Sequence, residues 1–298
     1  MKTRSRFAAA WVAVIAPALT VLLGAALAGP PIPEASVTVM TFNVRYDNPA
    51  DGPNAWPARK ELVAKTILFH KADIVGMQEC LRGQIADLET LLPGYAWLGV
   101  GRDDGKEAGE FNPVFYRQDR FRLLSQATFW LSASPDEAGT RGWDGACNRV
   151  VTWARFAGTD EGRPFFVFNT HFDHVGTVAR RNSAELLLRR VGTIAGQAPV
   201  VVTGDFNAVV GDEPIRILLA GLEGAPPLQD AASLSLTGSY GGKRSFNGFR
   251  GGPGPGRVID FIFVRGAGEV LRHGIIAEKW EGRFASDHYP VLAEISVK

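Results

Sequence analysis

Cysteine, net charge and domain-dividing linkers are all scarce in this chain, and each shortage narrows what it can be. There are two cysteines in 298 residues, Cys80 and Cys147, so at most one disulfide is available. In an oxidising compartment that bridge would pin the loop carrying Trp143 to the segment next to Glu79; two small unbridged thiols are the equal alternative. The formal net charge is +1, which leaves no overall electrostatic footprint for gripping a nucleic-acid backbone, although a local basic patch is compatible with it. No Ser- or Pro-rich linker interrupts residues 36–298, which read as one domain, and no internal repeat is visible.

The first 28 residues lack acids altogether. Lys2, Arg4 and Arg6 precede an apolar run over residues 7–28 that ends Ala26-Leu27-Ala28, a small-x-small pattern before Gly29. This is the layout of an export signal, with 29–35 as a short linker, and it predicts a secreted, periplasmic or cell-surface protein. No Arg-Arg pair indicates twin-arginine export, and no cysteine near the cleavage point indicates a lipid anchor. The run is long for a signal, so an uncleaved anchor is the alternative; Pro17 and the clean cleavage pattern favour removal.

From residue 36 onward strand-like and helix-like stretches alternate. Strands are expected at 37–42, 72–77, 95–100, 113–116, 121–130, 150–156, 165–169, 200–203, 258–264, 270–277 and 291–297. Helices are expected at 56–70, 84–92 and 178–195, with a short one near Glu213-Pro214. Strands in the middle follow one another, while those toward both ends alternate with helices. That mixture predicts an α/β fold of two mixed sheets packed face to face with helices outside. Residues 237–257, rich in Gly and Pro and carrying Lys243, Arg244, Arg250 and Arg257, read as a surface loop just ahead of the Asp260 strand.

Six of the apolar runs deliver chemistry. They are MTFNVRYDN with Asn43, IVGMQEC with Glu79, FFVFNTHFDH with His171, VVTGDFNA with Asp205 and Asn207, RVIDFIF with Asp260, and ASDHYPV with Asp287 and His288. Carboxylates, amides and imidazoles brought to one sheet edge from six strands make a site, and such hard donors suit metal-assisted phosphoester chemistry. Asp205 suits a metal-bound or attacking water, and Asn207 can hold that water or a phosphate oxygen; an ordinary turn competes as the explanation of GDFN. Asp287 can ligate a cation and His288 can donate a proton to a phosphoryl oxygen. Asp260 sits in an otherwise apolar strand, where an unpaired carboxylate is costly, so it is assigned to His288 as the partner that fixes its tautomer and raises its pKa. Glu79 is the kind of single carboxylate Mg²⁺ takes, with Asn43 orienting it or touching the metal. His171 and His174 flank Asp173. Zinc is the rival there, but the cysteines are isolated and no third His is near, so the set is too oxygen-rich for it. His70 and His273 read as structural or solvent-facing, and Trp56, Trp130 and Trp143 as packing, with Trp143 able to line the cleft.

In this order the residues resemble the endonuclease/exonuclease/phosphatase superfamily, which includes pancreatic deoxyribonuclease, abasic-site endonucleases, inositol-polyphosphate phosphatases, neutral sphingomyelinases and nocturnin-like deadenylases. The likeness runs over residues 37–297, with GDFN and SDH together its most specific part. It implies a four-layer α/β sandwich with the site at one end of two central sheets, and Mg²⁺- or Mn²⁺-dependent hydrolysis of a phosphoester. It further implies that Asn43, Glu79 and Asp287 form the metal end, that Asp205 orients or deprotonates water, and that Asn207 positions the phosphate. His288, backed by Asp260, would stabilise the pentavalent phosphorus, and His171 would contact a nonbridging oxygen. Arg149 resembles a phosphate-contacting arginine of the deoxyribonuclease branch, and Glu110, or Glu107 in its longer loop, a carboxylate supporting His171. No tyrosine matches the cleft tyrosine of abasic-site enzymes, which sets DNA repair aside.

The expected function is therefore exported, metal-dependent hydrolysis of a small, lipid or sugar phosphoester by a monomer that touches membrane only through its N-terminal segment. A secreted nuclease is the alternative, gripping backbone through the basic loop, and a catalytically dead binding scaffold is the alternative of another class.

Overall fold

The computed structural model describes residues 36–159, 162–251 and 256–296, so the expected export signal and linker lie outside the described residues. Thirteen strands and five α-helices are ordered along these residues. In chain order they are β1 (Ser36–Asn43), α1 (Lys60–Phe69), β2 (Ile74–Gln78), α2 (Arg82–Leu91), β3 (Tyr95–Leu98), β4 (Val114–Arg117), β5 (Phe121–Trp130), β6 (Val150–Gly158), β7 (Phe165–His171), α3 (Thr177–Ala195), β8 (Val200–Asp205), α4 (Glu213–Ala220), β9 (Gln229–Asp230), α5 (Ala231–Leu234), β10 (Ser239–Tyr240), β11 (Asp260–Arg265), β12 (Val270–Ile275) and β13 (Val291–Ser296).

One sheet has the order β10-β12-β13-β1-β2-β4-β3 and the other β5-β6-β7-β8-β11-β9. Both are mixed, with β1–β2 and β7–β8 parallel and β1–β13 and β8–β11 antiparallel. The central strands are apolar on both faces because both faces are covered. In β8, Val201 points between the sheets with Val39, Ile74, Val167 and Ile262, while Val200 and Val202 pack on Leu187, Leu188 and Val191 of α3. On the far side, Met40, Val75 and Met77 pack on Val63 and Ile67 of α1 and Ile85 and Leu88 of α2. The result is helix, sheet, sheet, helix, the four-layer sandwich expected.

Local differences from the sequence reading have simple causes. The stretch 56–59 is a short 3₁₀ turn, Trp56–Ala58, that holds Pro57 ahead of α1 proper. Asp260 opens β11 where the sequence reading had it inside or at the end of its strand; because β11 runs antiparallel to β8, its opening lies beside the end of β8. Cys80 and Cys147 are both free thiols, so the disulfide alternative is not realised. His273 is buried against Ser239 Oγ, 2.8 Å from its Nδ1, and His70 meets Glu278 at the surface, as structural residues do.

Near the site end the two sheets are bound by a polar layer rather than by hydrocarbon. Asn169 donates to the carbonyls of Met77 at 2.7 Å and Pro113 at 3.0 Å, and its Oδ1 accepts from Gln78 Nε2 at 2.7 Å and Thr203 Oγ1 at 3.1 Å. The Asn169 amide is paired through both its nitrogen and its oxygen, although buried Gln78 Oε1 has no partner, and such a network favours one alignment of the layers. Gly76 lets it form, since a methyl group there would collide with Thr203 Oγ1 and Asn169 Oδ1.

Gly76→Ala is expected to destabilise the protein by about 1–3 kcal/mol, because the overlapped atoms are hydrogen-bonded and cannot retreat freely; urea unfolding of the variant measures it, and a neutral result would show the layer to be loose. Burial holds the pKa of His273 down to about 4. The unfolded chain, near the ordinary value, takes up that proton first, so stability present above about pH 6.5 is lost as pH falls toward 4. Comparing urea unfolding at pH 7 and pH 4, the loss should be smaller in His273→Gln, by up to roughly 3 kcal/mol.

Candidate active site

The geometry of the site starts from strand register. His171 ends β7, Asp205 ends the parallel β8, and Asp260 opens the antiparallel β11; His171 pairs with Asp205 and Asp205 pairs with Asp260. Three chemistry-bearing residues thus stand in one row, one strand spacing apart. In the other sheet Asn43 ends β1 in register with Gln78 at the end of β2, and Glu79 follows at once. Glu79 has φ +62°, a left-handed conformation that an L-residue adopts at a cost and that here turns its carboxylate back toward Asn43. Asn207 is likewise left-handed at φ +48°.

The Asn43 side chain joins the two sheets. Its Nδ2 donates to Glu79 Oε1 at 2.9 Å and to Asp205 Oδ2 at 3.0 Å, while its Oδ1 accepts the Arg45 amide at 3.0 Å. Its oxygen accepts the Arg45 amide and its nitrogen faces two carboxylates, so Asn43 orients Glu79 and Asp205. Asp287 and His288 arrive on the turn before β13, whose start lies beside the end of β1. Ser286 Oγ fixes this turn by donating to the Asn43 carbonyl at 2.7 Å. His288 Nδ1 meets Asp260 Oδ2 at 2.9 Å, and its Nε2 lies 3.8 Å from Asp205 Oδ2. Asp205 Oδ1 accepts the Asn207 amide at 2.9 Å, and Asn207 Nδ2 meets His171 Nε2 at 3.0 Å and the Phe172 carbonyl at 3.0 Å.

Burial sets the protonation states. Asp205 is pushed up to about 7 by burial first and by the Asp260 charge second, against the pull of His288 and its own hydrogen bonds. Burial works against charge on His288, but Asp260, Asp205 and Asp287 outweigh it and lift its pKa to about 10. His171, buried beside Arg149, is held well below the usual histidine range and stays neutral. One site therefore holds a charged imidazole, a neutral imidazole and a carboxylate poised near neutrality, the spread of pKa values that divides acid and base roles.

Asp205, Asp260 and His288 place ligand atoms within 4.8 Å of one another. They are a poor cation cage all the same, because His288 holds its proton between two carboxylates and has no lone pair to give. Glu79 and Asp287 fit a cation better. They are hard oxygen donors; burial, and after it the Glu79 charge, raise the Asp287 pKa against the pull of His288, and the nearest fixed cation to Glu79 is Arg45 at 3.8 Å. That excess of oxygen and negative charge suits Mg²⁺ or Mn²⁺.

These groups open into a cavity of about 580 Å³. Arg149 lies in its wall, buried, with Nη2 3.0 Å from His174 Nδ1 and Nε 3.6 Å from Asp173. Asp173 itself accepts the amides of Ala146, Cys147, Val175 and Gly176, so it organises the loop and is no metal ligand. Glu110 also lines the cavity but is bonded to Arg102 at 2.6 Å, and His171 Nδ1 has no partner; the expected Glu110–His171 support is not formed. Glu107 does not replace it, being exposed and 3.7 Å from Arg82.

Sequence reasoning missed the residues that hold the loops. Buried Arg59 donates to the carbonyls of Val44, Arg45 and Ala285, behind the metal end, and Gln84 accepts the Asp47 amide while donating to the Arg45 carbonyl. An arginine at a helix start and a glutamine in a first turn carry no signal for this. Arg45, Tyr46 and Phe246, which also line the cavity, were passed over because their neighbours in sequence are ordinary loop residues, whereas Arg257, in the same lining, belongs to the basic loop already singled out.

Asp260→Asn and His288→Gln are each expected to lower kcat by roughly 10²–10⁴-fold. As the two act as a unit, the double variant should lose little more than the worse single one. Additive losses would separate them.

The profile of the endonuclease/exonuclease/phosphatase family matches residues 40–288. An endonuclease/exonuclease/phosphatase from Bacteroides vulgatus is 43% identical with a TM-score of 0.84, over 88% of this chain and 99% of that one. A mannosyl-6-phosphatase from Bacteroides thetaiotaomicron is 33% identical with a TM-score of 0.79, over 87% of this chain and 99% of that one. Nocturnin from Drosophila melanogaster is 27% identical over 187 residues, 58% of this chain but 27% of that protein's length. The matched stretch spans less than two thirds of this relative and of two other curated ones, an uncharacterised mimivirus protein and a catabolite repressor homologue from Arabidopsis thaliana. Since the family profile begins inside β1 and ends on His288, it takes in every strand end that builds the cavity, and the chain belongs to the endonuclease/exonuclease/phosphatase family, whose enzymes hydrolyse phosphoesters.

Proposed function

We propose that the protein is an exported, divalent-metal-dependent hydrolase of a small phosphoester. The carrying observation is that Glu79, Asp205, Asn207, Asp287, His288 and His171 face one cavity, with an acid and a base whose protonation states differ. Glu79 and Asp287 would hold the cation, with Asn43 fixing Glu79 for it. When bound, that ion supplies positive charge to the phosphoryl group and the leaving oxygen. Asp205, held by Asn43 and the Asn207 amide, takes the proton of the attacking water. His288, kept charged by Asp260, donates to a phosphoryl oxygen as negative charge builds there. Asn207 and neutral His171 donate to a nonbridging oxygen, and Arg149 adds its charge from the wall.

Export is supported by the basic, then apolar, then Ala26-Leu27-Ala28 pattern of the N-terminus. A small substrate is supported by the near-zero net charge, by a cavity in the size range of small-molecule sites, and by likeness to a mannosyl-6-phosphatase. The gathered catalytic set speaks against an inert scaffold.

EDTA should abolish hydrolysis, and Mg²⁺ or Mn²⁺ should restore it; full activity in chelator would refute the cation assignment. In an Mg²⁺ assay against sugar phosphates, sphingomyelin, RNA and plasmid DNA, the small phosphoesters should be cleaved with the higher kcat/KM. Preferential, steeply salt-sensitive cleavage of nucleic acid would favour the nuclease instead.

A further inference from the structure

One wall of the cavity carries a ring that core packing does not account for. Phe246 is 43% exposed and lines the cavity beside the phosphoryl-handling groups. It is held firmly. Its backbone bridges to His288, Tyr289 N donates to the Ser245 carbonyl at 2.6 Å, and Asn247 N donates to the Asp287 carbonyl at 2.7 Å. The flanking Ser245 and Asn247 are buried, so the ring is fastened on both sides to the segment that carries the reacting groups. Its edge-to-face contact with the His288 imidazole, 5.0 Å between centroids at 67°, uses part of its surface and leaves the rest toward the cavity.

Around it the lining holds four polar, planar groups, Glu110, Arg149, His174 and Arg257, alongside Tyr46, Cys147 and Ile259. Glu110 gives a carboxylate oxygen to Arg102, and its carboxylate lies on the wall along with Arg149 and His174. The acid can accept from hydroxyl groups and the guanidinium groups can donate to hydroxyl oxygens. An aromatic face with hydroxyl-binding groups around it, next to a single phosphoryl site, matches one substrate chemistry. The polarised C–H groups of a pyranose face meet the electron-rich face of the ring while the hydroxyls bond to the surrounding carboxylate and guanidinium groups.

We infer that Phe246 is a specificity-determining platform for the sugar ring of a phosphorylated pyranose. This rests on the phosphoester-hydrolase reading and names the substrate class of that same site. The test is steady-state hydrolysis of mannose 6-phosphate and of glycerol 3-phosphate, which bears the same phosphoryl group without a ring, by wild type, Phe246→Ala and Phe246→Trp. In Phe246→Ala, the ratio of kcat/KM for mannose 6-phosphate to that for glycerol 3-phosphate should fall about tenfold, mostly through KM, and Phe246→Trp should recover it. An equal drop in kcat on both substrates would mean that Phe246 only props His288, and would overturn the inference, as would an unchanged ratio. Calorimetric titration of mannose 6-phosphate reads the platform without turnover. Its Kd should rise about tenfold in Phe246→Ala, and equal Kd values would overturn the platform even in an active enzyme. Wild type that binds the sugar phosphate through Phe246 but hydrolyses no phosphoester in Mg²⁺ would instead sink the hydrolase reading alone.

Discussion

Asp205 and Asp260 face each other across neighbouring strands, both almost fully buried, and two like charges so placed repel. The arrangement holds because His288 brings a proton between them, bonded to Asp260 and within reach of Asp205. That imidazole comes from the turn before β13, in the opposite sheet, so the same contact that balances the charge also ties the two layers together at the catalytic end. The cost of the carboxylate pair is thereby converted into function. A proton-accepting Asp205 and a proton-holding His288 are two outcomes of one electrostatic conflict.

Everything behind this pair keeps it from relaxing. The Asn169 layer sets the distance between sheets, and Gly76 permits it. The Asn43 amide spans Glu79 and Asp205, so these two carboxylates cannot move independently. Left-handed backbone at Glu79 and Asn207 turns both side chains inward, and such strain persists only where surrounding bonds over-determine it. Arg59 and Gln84 supply those bonds for the 44–47 loop. The polar wall of Arg149 and His174 is built separately, on segments whose amides converge on Asp173, and Glu110 joins it from the connection between β3 and β4.

Much of the catalytic set was legible in sequence because a buried polar residue in an apolar strand has few inexpensive explanations. Asp260 is the clearest example: its cost in a run of Val, Ile and Phe demanded a partner, and His288 is that partner at 2.9 Å. GDFN and SDH announced themselves through their position after or before strand runs. Residues in loops were less legible. Glu110 was matched to His171 by its place in a motif, yet Arg102, eight residues earlier, captures it, because that strong charge-assisted contact is local. The cysteines offered no geometry at all, and Phe246 looked like any loop aromatic until its backbone proved to be bridged to His288.

By itself the sequence determined the layered α/β class, the burial of each central strand and the kinds of ligand delivered to its ends, since these follow from periodicity and from the price of hiding polar atoms in hydrocarbon. Only the tertiary structure decided which carboxylate faces which, that the Asn43 amide bridges Glu79 and Asp205, and which way the wall residues turn. Those outcomes depend on strand direction, register and hydrogen-bond angle between segments far apart in the chain, 162 residues for Asn43 and Asp205 and 243 for Asn43 and Ser286. Distances of a few tenths of an ångström separate a bond from a near miss, and chain order does not encode them locally.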